Sequence, residues 1–100
     1  MYETYKLYKA DNPLKRYKIY VDDYKNKTIK KVEFGSSNYD NYTIHKDIAR
    51  LKKYILRHQK NEDWTDWTSA GFWSRWLLWN EYSTDIHKNL LWTLKYKVKF

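Results

Sequence analysis

Between Ala70 and Asn80 the chain reads Ala-Gly-Phe-Trp-Ser-Arg-Trp-Leu-Leu-Trp-Asn. Wound as a helix, this stretch is apolar around nearly its whole circumference, interrupted only by Ser74 and Arg75. A helix without a polar face must be covered by other elements, so the rest of the chain has to build a layer for it to pack on. Two other roles compete with burial. Trp and Arg are enriched where proteins dock, which makes Trp73, Arg75 and Trp76 the candidate protein-interaction residues. Insertion at a membrane interface is disfavoured because the polar face is too small for an amphipathic anchor. No run approaches the roughly 20 apolar residues that span a bilayer, so no membrane partner is expected. Arg75 sits one helical turn from Phe72 and from Trp79, which predicts cation–π stacking on them, or simple snorkelling from the core edge.

The layer is legible upstream. Residues 2–9, 14–21 and 28–34 alternate in polarity and are rich in Tyr, Ile, Val and Thr, the pattern of strands. Asp11-Asn12-Pro13 and the segment Asp22 to Lys27 read as turns, and the spacing predicts an antiparallel meander. Tyr17, Ile19 and Val21 share one face, as do Val32 and Phe34. Gly35-Ser36-Ser37-Asn38 is expected to end the sheet, followed by a polar loop through Tyr42. Thr43 or Asp47 then caps a helix over about 46–60, and Ser83-Thr84-Asp85 caps another near 85–94. Lys95 to Phe100 reads as a short strand or a loose basic end. Trp64 and Trp67, in an acidic Thr-rich loop, are expected to pin it to the core. The fold class is therefore α+β: a small antiparallel three-stranded sheet packed with two to three helices.

A chain of 100 residues with 2 Gly and 1 Pro is a single domain over residues 1–100, without flexible linkers. Its 20% aromatic content, 6 Trp and 11 Tyr among it, is incompatible with a disordered tail. There is no cysteine, which excludes disulfides and thiolate metal sites and suits an intracellular, reducing setting. The first residues lack the apolar run of a signal peptide.

The charge is uneven. Of a net +8, residues 1–60 carry 15 Lys+Arg against 7 Asp+Glu, and residues 61–100 carry 5 against 5. One side of the domain should therefore face an anionic partner. Within the predicted 46–60 helix, Lys46, Arg50, Lys53, Arg57 and Lys60 fall within roughly 80° of arc, opposite Ile48, Leu51, Ile55 and His58. The row extends over roughly 21 Å at 1.5 Å per residue, long enough to touch several phosphates of a duplex. No Glu interrupts it, although like charges one turn apart cost helix stability. Lys15, Lys18, Lys30 and Lys31 on the strands are expected to extend the patch. The expected partner is nucleic acid, DNA contacted through its backbone, while a plain solvated face is the competing reading.

Nothing points to an enzyme. His45, His58 and His87 are scattered, and His45-Lys46-Asp47 lacks the spacing of the phospholipase-D-type His-x-Lys motif. His58 near Glu62 and Asp63 could form an acid–base pair, but a histidine at a helix end is also favoured there by the dipole. There is no glycine-rich phosphate loop and no nucleophile elbow. No metal and no cofactor is expected.

Phe34-Gly35, Tyr42 through Asp47, Tyr54 with Arg57-His58, and above all Gly71 to Asn80 resemble a small uncharacterised domain encoded by large nucleocytoplasmic DNA viruses, over roughly residues 15–80. The resemblance brings no activity with it. It implies a viral setting, in the virion or the viral factory of the host cell. There the chain would contact packaged DNA or, alternatively, serve as a minor capsid or scaffold component that binds viral structural proteins.

Overall fold

The computed structural model describes residues 2–100. Three antiparallel strands, β1 (Leu7–Lys9), β2 (Lys15–Asp23) and β3 (Thr28–Ser36), form a sheet of order β1-β2-β3. Strand alternation sends side chains to opposite faces. The pairs Tyr17–Phe34 and Ile19–Val32 share the inner face, and Lys18–Glu33 and Tyr20–Lys31 the outer one. Four helices complete the α+β fold among the described residues: α1 (Tyr42–His45), α2 (Ile48–His58), α3 (Ala70–Trp73, continuing as a π-helical turn over Ser74–Leu78) and α4 (Ile86–Tyr96).

The first strand is shorter than its alternation predicts. Tyr5 adopts a left-handed φ of 57°, which turns residues 2–6 out of the antiparallel ladder and leaves Thr4 in a single parallel bridge to Tyr20. Tyr2 then lies on the sheet's outer face, stacked on Tyr20 at 4.9 Å and 16°. The second strand is longer, because Asp23 pairs with Thr28 and also holds the Asn26 side chain at 2.8 Å. The third strand runs past its expected end. Gly35, at φ +79°, passes so close to α3 that a Cβ there would lie 2.7 Å from Leu78 Cδ1. Only glycine meets both demands.

The helix predicted over 46–60 is α2, trimmed to Ile48–His58, and a separate one-turn helix, α1, stands just before it. Asn41 caps α1, accepting from the Thr43 N–H at 3.0 Å. Lys46 ends α1 in a left-handed conformation (φ 57°). Asp47 starts α2 afresh, its carboxylate accepting from the N–H groups of Ala49 (3.0 Å) and Arg50 (3.3 Å). A side-chain acceptor satisfies the orphan donors of a helix start, so Asp47, one of the two predicted caps, sets where α2 begins. The packing face of α2 is also shifted. Leu51 and Tyr54 are buried, whereas Ile48 is exposed. The helix docks through Tyr54 on the Trp79 ring, 4.3 Å away and within 4° of parallel, and not on the sheet as the periodicity predicts.

The core joins Ile19, Val21, Val32 and Phe34 to Phe72, Trp73, Leu77 and Leu78. The Trp-rich segment is therefore the second layer, and Trp73, Arg75 and Trp76 are buried. This corrects their reading as a docking surface: Trp73 packs in the core with the sheet, while Trp64 lies against Arg75 and Trp92 and Lys97 lie against Trp76. The loop is pinned by indole N–H groups. Trp73 donates to the Trp67 carbonyl (2.7 Å), Trp76 to that of Trp64 (2.9 Å), and Trp67 to that of Asp22 (3.0 Å). Arg75 is a cation–π residue, but its rings are Trp76 (4.4 Å) and Trp64 (5.1 Å). Phe72 and Trp79, expected from helical spacing, are not its ring partners.

Asp85 caps α4, accepting from the N–H groups of His87 (2.9 Å) and Lys88 (3.3 Å). The helix runs on to Tyr96, so the tail is neither strand nor loose end. Val98 is buried in the core, and Phe100 meets Tyr5 edge-on at 4.9 Å. Two buried amides fix the end of the Trp-rich segment, and the second ties it to α4. Asn80 Nδ2 donates to the Trp76 carbonyl (2.9 Å), and Asn89 Nδ2 donates to those of Leu77 (2.9 Å) and Ser83 (2.8 Å).

Candidate nucleic-acid interface

The nine cations singled out in the sequence separate into groups. Arg50, Lys53 and Arg57 occupy one edge of α2 and line a single groove together with Asp40, His45 and Trp79. Lys46 and Lys60 lie outside α2, the first in the left-handed link from α1 and the second in the turn beyond His58. The five-cation row is thus a three-cation edge with two flanking lysines. Its span from Arg50 to Arg57 is about 10 Å at 1.5 Å per residue.

The strand lysines do not form one patch, because alternation divides them. Lys18 and Lys31 point to the outer face, whereas Lys15 and Lys30 belong to the inner-face register at opposite ends of the hairpin, paired with Ser36 and Val21. Six residues of strand separate those ends, roughly 20 Å. Lys18 is also unavailable. It is buried, bonded to Asp11 at 2.8 Å, and covered by the Tyr2 ring 3.9 Å from its ammonium. Lys31 shares Asp11 at 3.0 Å and has Glu33 at 3.9 Å.

The bridging Asp11 carboxyl is held below the usual carboxylate range by its hydrogen bonds to Lys18 and Lys31. A depressed carboxylate stabilises the fold above its unfolded pKa and loses that contribution as pH falls through the folded one. The bridge is therefore complete at neutral pH.

The charges of the α2 edge are largely unspent, as are those of Lys15 and Lys30, and here three cations share one groove. Arg50 has Asp47 only at 3.9 Å. Lys53 and Arg57 have no carboxylate within 4.0 Å among the described residues, in contrast to Lys6, Arg16, Lys18, Lys31 and Arg75. Beside this edge runs a column of rings. His45 leans on Trp79 (5.3 Å), Trp79 stacks on Tyr54 (4.3 Å), and Tyr54 stacks on His58 (4.3 Å). Glu62 fixes the far end, its carboxylate 2.7 Å from His58 Nδ1 and accepting the Trp64 indole N–H at 2.8 Å. The opposite wall is the 36–41 loop, held by Arg16, which donates to the Ser36 (3.1 Å) and Tyr39 (3.0 Å) carbonyls and lies 3.8 Å from Asp40.

Sequence reasoning finds the cations but not the rings that floor the groove. Tyr54 lies next to Arg50 and Arg57 on a helical wheel and could have been placed there. Trp79 is 25 residues further on, and no local spacing brings it to α2. The three histidines form no common cluster: among the described residues no group of three His, Asp or Glu stands close enough to hold a metal ion. No helix among them is long and apolar enough to cross a membrane.

Residues 5–58 match the sequence model of a family of unknown function, DUF5754. The chain belongs to that family. No curated protein and no solved structure matches it. The DUF5754 match begins just before β1 and closes on the last residue of α2, so it contains the whole sheet and all three cations of the groove edge. The Gly71–Asn80 segment, which carries most of the viral resemblance, lies beyond it.

Proposed function

We propose that this DUF5754 protein binds nucleic acid without sequence specificity, through phosphate contacts made by Arg50, Lys53 and Arg57, and that it is a binding module, not an enzyme. One observation carries the reading. Three cations line one edge of one groove, and none has a carboxylate nearer than 3.9 Å. Lys18 and Arg75, by contrast, are buried and paired within the fold. The setting proposed with it is the virion or viral factory, where the nucleic acid would be viral DNA.

Three phosphate contacts give a log–log salt slope of about −2.7 for duplex DNA, or about 40-fold weaker binding between 50 and 200 mM salt. The test is a salt-series anisotropy titration with the triple variant Arg50→Glu, Lys53→Glu, Arg57→Glu as control, its fold checked by circular dichroism. The variant is expected to bind at least tenfold more weakly, with a slope near zero. No binding at low salt, or an unchanged slope in the folded variant, would overturn the proposal.

A second reading, assembly through protein contacts, is favoured by a different face. Leu91 is 70% exposed on α4, beside the stacked pair Tyr82–Trp92 (5.6 Å) and Tyr96, 5.6 Å from Trp92. If this face mediates assembly, light scattering will show a mass that rises with concentration and falls back to the monomer in Leu91→Asp. A monomer at every concentration removes this reading.

A further inference from the structure

Past the cation edge the groove deepens into a recess of about 560 Å³ walled by Tyr39, Tyr54, His58, Ser74, Leu78 and Trp79, with Arg57 at its side. That volume lies within the roughly 300–1,000 Å³ of pockets that take small molecules, as does the mixture of mostly apolar wall and few polar groups. Both faces of the Tyr54 ring are occupied, by Trp79 and His58, and the residue is only 5% exposed. Its hydroxyl nevertheless makes no hydrogen bond among the described residues. Burial, reinforced by the Glu62 charge, raises its pKa well above the ordinary tyrosine range, so at neutral pH it remains a proton donor. The hydroxyl is not sealed from solvent, so it stands as an open donor at the recess wall.

At the rim, Tyr39 is 74% exposed and offers an open ring. Asp40, held near Arg16, shares that loop wall. Asp40 borders the cation groove as well, but the recess carries one cation, Arg57, against three along the α2 edge, so phosphate favours the edge and the mostly apolar recess suits an uncharged group.

We infer that the recess seats one unpaired nucleobase of a strand whose phosphates run along Arg50, Lys53 and Arg57, so that the protein selects single-stranded nucleic acid over duplex. The inference rests on the nucleic-acid reading above. In a duplex each base is stacked and paired inside the two backbones and enters a protein pocket only if it is swung out, at a cost in pairing and stacking. A single strand presents its bases freely to an aromatic seat. The cation edge, about 10 Å long, matches about three nucleotides at 3.4 Å per step of one strand.

The test uses the full chain and three labelled probes of equal length, about 12 nucleotides, within the site size of single-strand binders: an oligothymidine, its duplex with oligoadenosine, and an abasic strand with the same backbone charge. The oligothymidine is expected to bind at least tenfold more tightly than either of the others. Tyr39→Ala should weaken it about tenfold through lost stacking, and Tyr54→Phe about threefold through the lost hydroxyl, both more than they weaken the duplex. If the duplex or the abasic strand binds as tightly as the oligothymidine, and charge reversal on α2 abolishes all three, the base seat is wrong and the nucleic-acid reading stands. If no probe shows binding that charge reversal removes, the nucleic-acid reading fails and the seat fails with it.

Discussion

Trp73→Ala is expected to destabilise the domain by about 3–5 kcal/mol, the usual cost of emptying a buried aromatic site. Trp73 is fully buried between the sheet and the 62–69 loop, with Phe72 at 4.9 Å and Tyr5 at 6.5 Å. Truncation leaves a void in a layer that has no second row of side chains to fill it. It also strands the Trp67 carbonyl, which accepts the indole N–H at 2.7 Å, and an unsatisfied buried acceptor adds roughly 1–3 kcal/mol. Small domains have about 5–15 kcal/mol in total, so the variant should sit near the edge of folding. Urea unfolding measures the effect: at an m-value of about 1–3 kcal/mol per molar, the midpoint should fall by about 2 M. Leu91→Ala, on the exposed face of α4, is the control and should change stability by less than about 0.5 kcal/mol. If the two variants unfold together, Trp73 is not the centre of the core.

Arg75→Ala is expected to cost about 3 kcal/mol, more than loss of its ion pair alone would explain. The guanidinium donates to the Trp79 carbonyl at 2.6 Å and to both Glu81 oxygens at 3.1 and 3.0 Å while lying over Trp76 and Trp64. Glu81 is half-exposed, with 53% of its side chain accessible, so solvent screens that pair, and exposed ion pairs contribute about 1 kcal/mol at most. The larger part comes from a desolvated cation–π sandwich and from satisfying the carbonyl at the end of the π turn. Trp79 leaves the helix there, its N–H bonded five residues back to the Ser74 carbonyl at 3.1 Å. Arg75→Lys keeps the charge but loses the planar fork, so it should fall between Arg75→Ala and Glu81→Ala, the last costing under about 1 kcal/mol. Equal losses in Arg75→Ala and Glu81→Ala would show that the ion pair dominates after all. Because Tyr54 anchors α2 on the Trp79 ring, Arg75→Ala should also loosen α2, visible as a loss of near-ultraviolet ellipticity.

Much of the fold can be read along the chain because local chemistry decides it. The alternation of Tyr17, Ile19 and Val21 against Val32 and Phe34 places those residues on one face whatever else happens. The Asp47 and Asp85 carboxylates accept from the two N–H groups that follow at each helix start. The helix over 46–60 is found as α2, with Asp47, one of its two predicted caps, at the start, whereas the one-turn α1 before it is too short for any periodicity to announce.

The candidate site divides along the same line. The amino-acid sequence by itself determined the three-stranded meander, the all-round apolar character of the Ala70–Asn80 segment, and a run of cations on one side of α2, because period-2 and period-3.6 spacing and capping chemistry act over a few residues. Only the tertiary structure decided that Lys18 is consumed by Asp11 and Tyr2, that Lys15 and Lys30 stand at opposite ends of the hairpin, and that Trp79 meets Tyr54 to floor a groove beside Arg50, Lys53 and Arg57. Those facts depend on strand register and on contacts between residues tens of positions apart, and no local spacing encodes either.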